Sequence, residues 1–139
     1  MDKRRVKRQW VPINKLGQYF ESDDSNSVIP MSYHHRKVEA IVDGGAGVSI
    51  MTKQCWEKWG SPFMEITSVI VKLADGTTTR PVGVVDLRVK TFGITYHVQF
   101  VVMDFKNPIE SYDIILGRSF LRSTGVVHDW SSNIIYLRK

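Results

Sequence analysis

Beyond residue 35 the chain alternates short apolar, β-branched runs with polar breaks. The runs occupy residues 38–42, 48–51, 69–73, 82–89, 94–103, 114–116, 126–128 and 134–137. Runs of this length, rich in Val and Ile and recurring at short intervals, predict an all-β domain of many short strands. The breaks carry turn chemistry. Ala74-Asp75-Gly76-Thr77 contains an Asp-Gly pair, the strongest short-range hairpin signal, and Phe92-Gly93 and Ser131-Ser132-Asn133 suit further reversals. Neighbouring strands are therefore expected to form antiparallel hairpins. Two stretches depart from the strand pattern and predict short helices plugging a barrel: 52–59, with Thr52 as N-cap and Gly60 as stop, and 118–123. Residues 1–35 show no sustained apolar period. They predict a basic, mostly irregular arm that could dock through Trp10 or Phe20 but carries no core, leaving 36–139 as the folded domain.

Composition narrows the function classes. With 139 residues, the chain has room for one small domain and little else. No stretch approaches the roughly 20 apolar residues of a membrane span, and the charged first residues are not followed by an apolar signal segment. An intracellular, cytoplasmic protein with no membrane partner is the expectation. The single cysteine, Cys55, excludes an internal disulfide, and the four histidines stand at spacings unsuited to a metal, so neither metal nor cofactor is expected. The net charge of +5 invites a nucleic-acid reading. However, MDKRRVKR alone contributes +4 and leaves the remainder at +1, which describes a basic tail on a nearly neutral body. Nucleic acid is thus expected to meet the tail at most, and the same tail could serve nuclear import.

One stretch concentrates chemistry. VEAIVDGGAGVSIM, residues 38–51, carries a lone carboxylate, Asp43, to the end of an apolar run and follows it with Gly44, Gly45, Ala46 and Gly47. Glycines there permit positive φ and close backbone approach. A phosphate cradle is one reading of Gly45-Ala46-Gly47, but Ile50 stands where a dinucleotide fingerprint needs its third glycine and the following residues read as strand. An ordinary turn-capping acid is another. The third is catalytic: a partly desolvated carboxylate gains a function once a second acid stands beside it and the two share one proton. The chain offers one such loop, so the second acid would come from a second copy across a twofold axis.

The segment 42–50 resembles the active-site loop of retropepsin-like aspartic proteases, ordinarily Asp-Thr/Ser-Gly-Ala. YDIILGRSFLRSTGVVHDW, residues 112–130, is similar to the second motif of that family, an apolar strand ending in Leu-Gly-Arg and leading into a short helix. Order and spacing of the two resemble most the proteases of plant long-terminal-repeat retrotransposons of the gypsy type. The resemblance runs from about residue 36 to 137. It implies a closed β-barrel monomer with one or two short helices, forming a twofold dimer that hydrolyses peptide bonds by an Asp-activated water and matures a retroelement polyprotein. On this mapping Asp43 is catalytic. Gly45 and Ala46 lie along the substrate backbone, and Ala74, Asp75, Gly76 and Thr77 form the flap. Gly117 permits a close crossing under the loop, while Arg118 ties the second helix to the base of the dimer.

Departures from the family pattern shape the alternative. The family's Thr or Ser after the aspartate bridges the two monomer loops by its hydroxyl, and Gly44 has none to give. Retroviral members also carry an acid where Gly47 stands, so Arg118 must find another partner or face solvent. The competing expectation is a protease-fold module, impaired in catalysis, that acts in dimerisation or peptide binding. Asp113 and Asp129 read as surface or capping groups, His34-His35, His97 and His128 as non-ligands, and Cys55 as a packing residue.

Overall fold

The computed structural model describes residues 10–12, 18–21, 28–72, 76–105, 113–129, 131 and 134–137. Six strands close into a barrel in the order β10, β4, β3, β8, β9, β5, with β5 returning to β10. They are β3 (Val28–Tyr33), β4 (Arg36–Val42), β5 (Ser49–Thr52), β8 (Gly83–Thr91), β9 (Ile94–Met103) and β10 (Ile114–Leu116). Beside the barrel, β1 (Trp10–Pro12), β2 (Gln18–Glu21), β12 (Ile134–Leu137) and β11 (Val126–Asp129) make a four-stranded sheet in that order. A two-stranded ribbon pairs β6 (Val71–Lys72) with β7 (Thr78–Thr79).

Strand alternation explains the barrel wall. Along β8, Gly83, Val85, Leu87, Val89 and Thr91 point inward, and Asp86, Arg88 and Lys90 point out, the period of two that a one-sided wall requires. Phe100, Ile29, Met31, Met51, Ile114 and Leu116 fill the interior with almost no exposure. β9 alternates only at first. From Phe100 to Met103 every residue is buried, because Val71, Ile50, Val84 and Phe105 cover its outer side with Val101 and Met103. The Phe92-Gly93 turn expected between β8 and β9 is present, with φ of 56° and 71° closing Thr91 against Ile94.

Both helices form where expected. Thr52 caps α1 (Lys53–Lys58), its hydroxyl accepting from the Cys55 N–H at 3.1 Å, and Gly60 ends it at φ +91°. α2 (Arg118–Thr124) stops at Gly125 in the left-handed conformation and buries Phe120 edge-on to Tyr96.

Three expectations need correction. The irregular arm does not extend to residue 35. Val28, Ile29 and Met31 are core residues of β3, paired with β4 from Val28↔Ile41 to Tyr33↔Arg36, and His34-His35 form the tight turn of that hairpin at φ 48° and 68°. Pro30 and the flanking polar residues hid the strand's apolar rhythm. Further upstream, β2 pairs with β12, so even residues 10–12 and 18–21 belong to a sheet, while the basic residues 1–9 lie outside the described residues. Second, not all neighbours are antiparallel: β10 runs parallel to β4, and β5 parallel to β9. Third, of the described residues in the expected 69–73 strand only 71–72 pair, and residue 73 lies outside the described residues. Residues 61–70 reach β8 through a single bridge, Glu65↔Val84, and leave Phe63 and Ile66 exposed.

Cys55 is buried against the barrel. Burial foremost, and the nearby Asp113 carboxylate next, push its thiol up to about 12, with Lys58 pulling the other way. The unfolded thiol ionises near 9.0, so its stabilising share is complete below that pH and is lost as pH climbs toward 12. Native protein at pH 8 should leave Cys55 unmodified by an aromatic disulfide reagent that titrates it fully in denaturant. Urea midpoints should fall between pH 9 and 12 more steeply than in Cys55→Ala. Rapid native labelling at pH 8 would contradict the burial.

Candidate active site

β4 and β10 lie side by side and parallel, and both end at the same place: Val42 pairs with Leu116. The chain leaving β4 makes the loop 43–48, and the chain leaving β10 passes beneath it at Gly117. The Asp43 N–H donates to the Leu116 carbonyl at 2.9 Å, and the Arg118 N–H donates to the Ala46 carbonyl at 2.7 Å. Between them the Gly117 N–H donates to the hydroxyl of Ser49 at 3.1 Å, a bond buried from solvent. Three donors in succession thus staple the second motif to the first.

Gly117 is the residue the crossing demands. A Cβ there would stand 2.7 Å from the Ala46 carbonyl oxygen and closer still to that of Val48, both backbone atoms with nowhere to go. What excludes a side chain here is proximity of backbones: φ is −95°, open to any residue. The loop glycines behave likewise. None of Gly44, Gly45 and Gly47 takes positive φ. A Cβ on Gly45 would lie 3.2 Å from the Asp43 carboxylate, and one on Gly47 3.4 Å from the Arg118 guanidinium. At Gly44 nothing lies within 4 Å, so the missing side chain there is a matter of chemistry and not of space.

Asp43 itself is exposed. Its Oδ1 accepts the Gly45 N–H at 2.9 Å, and its carbonyl accepts the Ala46 N–H at 3.1 Å, so the loop turns around the acid and holds it by its own backbone. Among the described residues none supplies the partial desolvation expected of this carboxylate. Among the described residues no group of three or more His, Cys, Asp or Glu could hold a metal.

Arg118 finds the partner that its pattern left open. One guanidinium nitrogen, Nη1, donates to the carbonyls of both Gly44 at 3.1 Å and Gly45 at 3.2 Å. It therefore anchors the loop that presents Asp43, from within the same chain. Ser49 was not singled out by sequence reasoning. A hydroxyl opening an apolar strand was the available signal, and only the crossing revealed what it bonds. Asp113 is an ion-pair partner, 3.1 Å from the Lys58 ammonium, and Asp129 accepts from the Ser131 N–H and hydroxyl in the turn after β11. Of the expected flap, Ala74 and Asp75 lie outside the described residues. Gly76, at φ +91°, and Thr77 are exposed between the paired strands β6 and β7.

Comparison with known proteins agrees with this geometry. A family profile described as "gag-polyprotein putative aspartyl protease" matches residues 29–123. The fold is similar to the retroviral protease-like domain of Ddi1 from Leishmania major, at 23% identity and TM-score 0.63, covering 79% of this chain and 86% of that one. It is also similar to a retropepsin-like aspartic protease from Rickettsia conorii, at 16% identity and TM-score 0.62, covering 97% and 96%. A third similar structure is the EIAV protease complexed with an inhibitor, at 16% identity and TM-score 0.58, covering 72% and 88%. A comparison with curated proteins found no match. The architecture is accordingly retropepsin-like: mostly β, with a closed six-stranded barrel and two short helices.

The crossing yields two expectations. Gly117→Ala should cost on the order of 3 kcal/mol, because backbone must move to admit one methyl group, and thermal or urea unfolding measures it. Arg118→Met, which keeps an apolar stem but removes the donor, should leave global stability nearly unchanged while hydrogen exchange at Gly45 and Ala46 accelerates severalfold. Unaltered exchange at both amides would show that the guanidinium does not hold the loop.

Proposed function

The chain belongs to the family of gag-polyprotein aspartyl proteases, and on that premise we propose that it is an aspartic endopeptidase acting as a homodimer on extended peptide segments. The observation that carries this reading is the exposed Asp43 carboxylate, held by the Gly45 N–H on a loop stapled from below. A second copy facing it across a twofold axis supplies the other acid and excludes water from both. One carboxylate then takes a proton from water as the oxygen attacks the peptide carbonyl carbon, while the other, protonated, gives its proton to the carbonyl oxygen. Collapse of the tetrahedral intermediate returns a proton to the leaving nitrogen, and no covalent enzyme intermediate forms.

On this reading Gly45 and Ala46 run beside the substrate backbone. The ribbon of β6 and β7, with Gly76 and Thr77 near its tip, closes over the peptide. The working unit begins at β3, since Val28 opens the barrel wall, and the substrate is a retroelement polyprotein. The similar Ddi1 domain favours a second setting for the same chemistry, in a cellular protein.

Gly44 favours one competing reading. Without a hydroxyl to bridge the two loops, the pair of acids loses a mutual hydrogen bond worth about 1 kcal/mol, and the module would serve dimerisation or peptide binding without cleavage. Arg118 offsets part of that loss within each chain.

Wild type should sediment as a dimer and cleave a peptide library, and Asp43→Asn should lower kcat at least roughly a hundredfold while dimerisation persists. Cleavage should decline as pH rises through neutrality, because one acid of the pair must stay protonated. A profile that climbs steadily from pH 5 to 9 contradicts the mechanism. Gly44→Thr has room for its side chain and should tighten the dimer or raise activity. Peptide binding by a dimer that cleaves nothing would favour the impaired module.

A further inference from the structure

The outer face of the barrel wall formed by β4, β3, β8 and β9 sorts its charges into rows. Strand register aligns Lys37, Ser32, Lys90 and Thr95 in one row across the four strands, and Arg88 with His97 in the next. His34 and His35, at the tip of the β3–β4 hairpin, stand beside that second row and line one hollow together with Arg88 and Lys90. Lys37, Lys90, Arg88, His34, His35 and His97 are all exposed, and Lys37, Lys90 and Arg88 form no ion pair among the described residues. Acids occur only in the flanking rows: Glu39 opposite Pro30 on one side, Asp86 opposite Gln99 on the other. The two central rows therefore hold three full positive charges and no negative one.

The relief of this face matters as much as its charge. Two hollows open on either side of Lys90. The first, about 180 Å³, is floored by Pro30, Met31 and the Phe92-Gly93 turn and flanked by Lys37 and Lys90. The second, about 420 Å³, is lined by Tyr33, His34 and His35 with Arg88, Lys90 and Asp86. Cations separated by roughly 7 Å along a strand and roughly 10 Å across two strands, with aromatic and apolar hollows between them, match a chain of phosphates whose bases are unstacked. A duplex keeps its bases paired and offers nothing to the hollows.

We propose that this face binds single-stranded nucleic acid. Lys37, Arg88 and Lys90 contact phosphates, the imidazoles of His34 and His35 provide stacking surfaces, and Asp86 sets a repulsive margin to the site. Lys37 precedes Asp43 by six residues on β4, which at strand rise is roughly 20 Å, so a bound strand leaves the loop 43–48 clear. The surface thus has a use independent of the acid, and it would hold a nucleic-acid-associated substrate near the chain that cleaves it.

The test is fluorescence anisotropy of a labelled 20-nucleotide U-rich RNA and its DNA counterpart with the full chain. The variants are K37Q/R88Q/K90Q, a tail variant with Lys3, Arg4, Arg5, Lys7 and Arg8 changed to Gln, and Asp86→Asn. The triple variant should bind at least tenfold more weakly at 100 mM salt. Its slope of log affinity against log salt should shrink by about 2, three phosphate contacts at roughly 0.7 each. Its melting temperature and peptide cleavage should match wild type, and Asp86→Asn should bind severalfold more tightly. RNA preferred over DNA assigns a role to the 2′-hydroxyl, and equal binding assigns recognition to phosphates and bases; both support the proposal. It is overturned if the triple variant binds as wild type while the tail variant does not bind, or if a polyglutamate peptide competes as well as RNA of equal charge.

Discussion

The close passage of Gly117 beneath the loop 43–48 is the constraint on which the rest of the molecule depends. Backbones approach here nearer than any side chain allows, with the carbonyls of Ala46 and Val48 occupying the space a Cβ would need. The approach is held by the donors of Asp43, Gly117 and Arg118, each satisfied across it. Because the two strands flanking the loop, β4 and β5, both pair with β10, the crossing also closes the barrel. Loosening it would expose buried backbone donors and open the wall in one event.

One exposed acid follows from this arrangement. Asp43 spends its own backbone on the staple and on the turn, and its carboxylate remains outside, with the Gly45 N–H as its nearest partner. Among the described residues nothing desolvates that acid, and in the proposed mechanism a second copy supplies that environment. The absent hydroxyl at Gly44 gives Arg118 more to do. Its Nη1, shared between the Gly44 and Gly45 carbonyls, steadies the loop within one chain.

Charge illustrates how folding reorganises what counting averages. A body with a net charge of +1 reads as neutral along the chain, yet register brings Lys37, Lys90 and Arg88 together and moves Glu39 and Asp86 to the margins. The cationic rows lie at the opposite end of β4 from Asp43. One strand therefore separates a surface suited to phosphates from a loop suited to peptide chemistry.

What the sequence determined by itself was local. Seven of the eight apolar runs, the Thr52 cap, the Gly60 stop and the Phe92-Gly93 turn are settled by residues within a few positions of one another, and the structure reproduces them closely. Asp43 and Gly117 were legible as well, because short motifs of glycine and acid have few physical uses. The tertiary structure decided what depends on distant partners: that residues 28–33 are barrel wall, that β10 lies parallel to β4, that Ser49 receives the Gly117 N–H, and that Arg118 reaches back 74 residues to Gly44. Period and turn chemistry carry no record of which strand lies beside which. That choice belongs to the packing of the closed barrel, where side chains and carbonyls far apart in the chain must share one space.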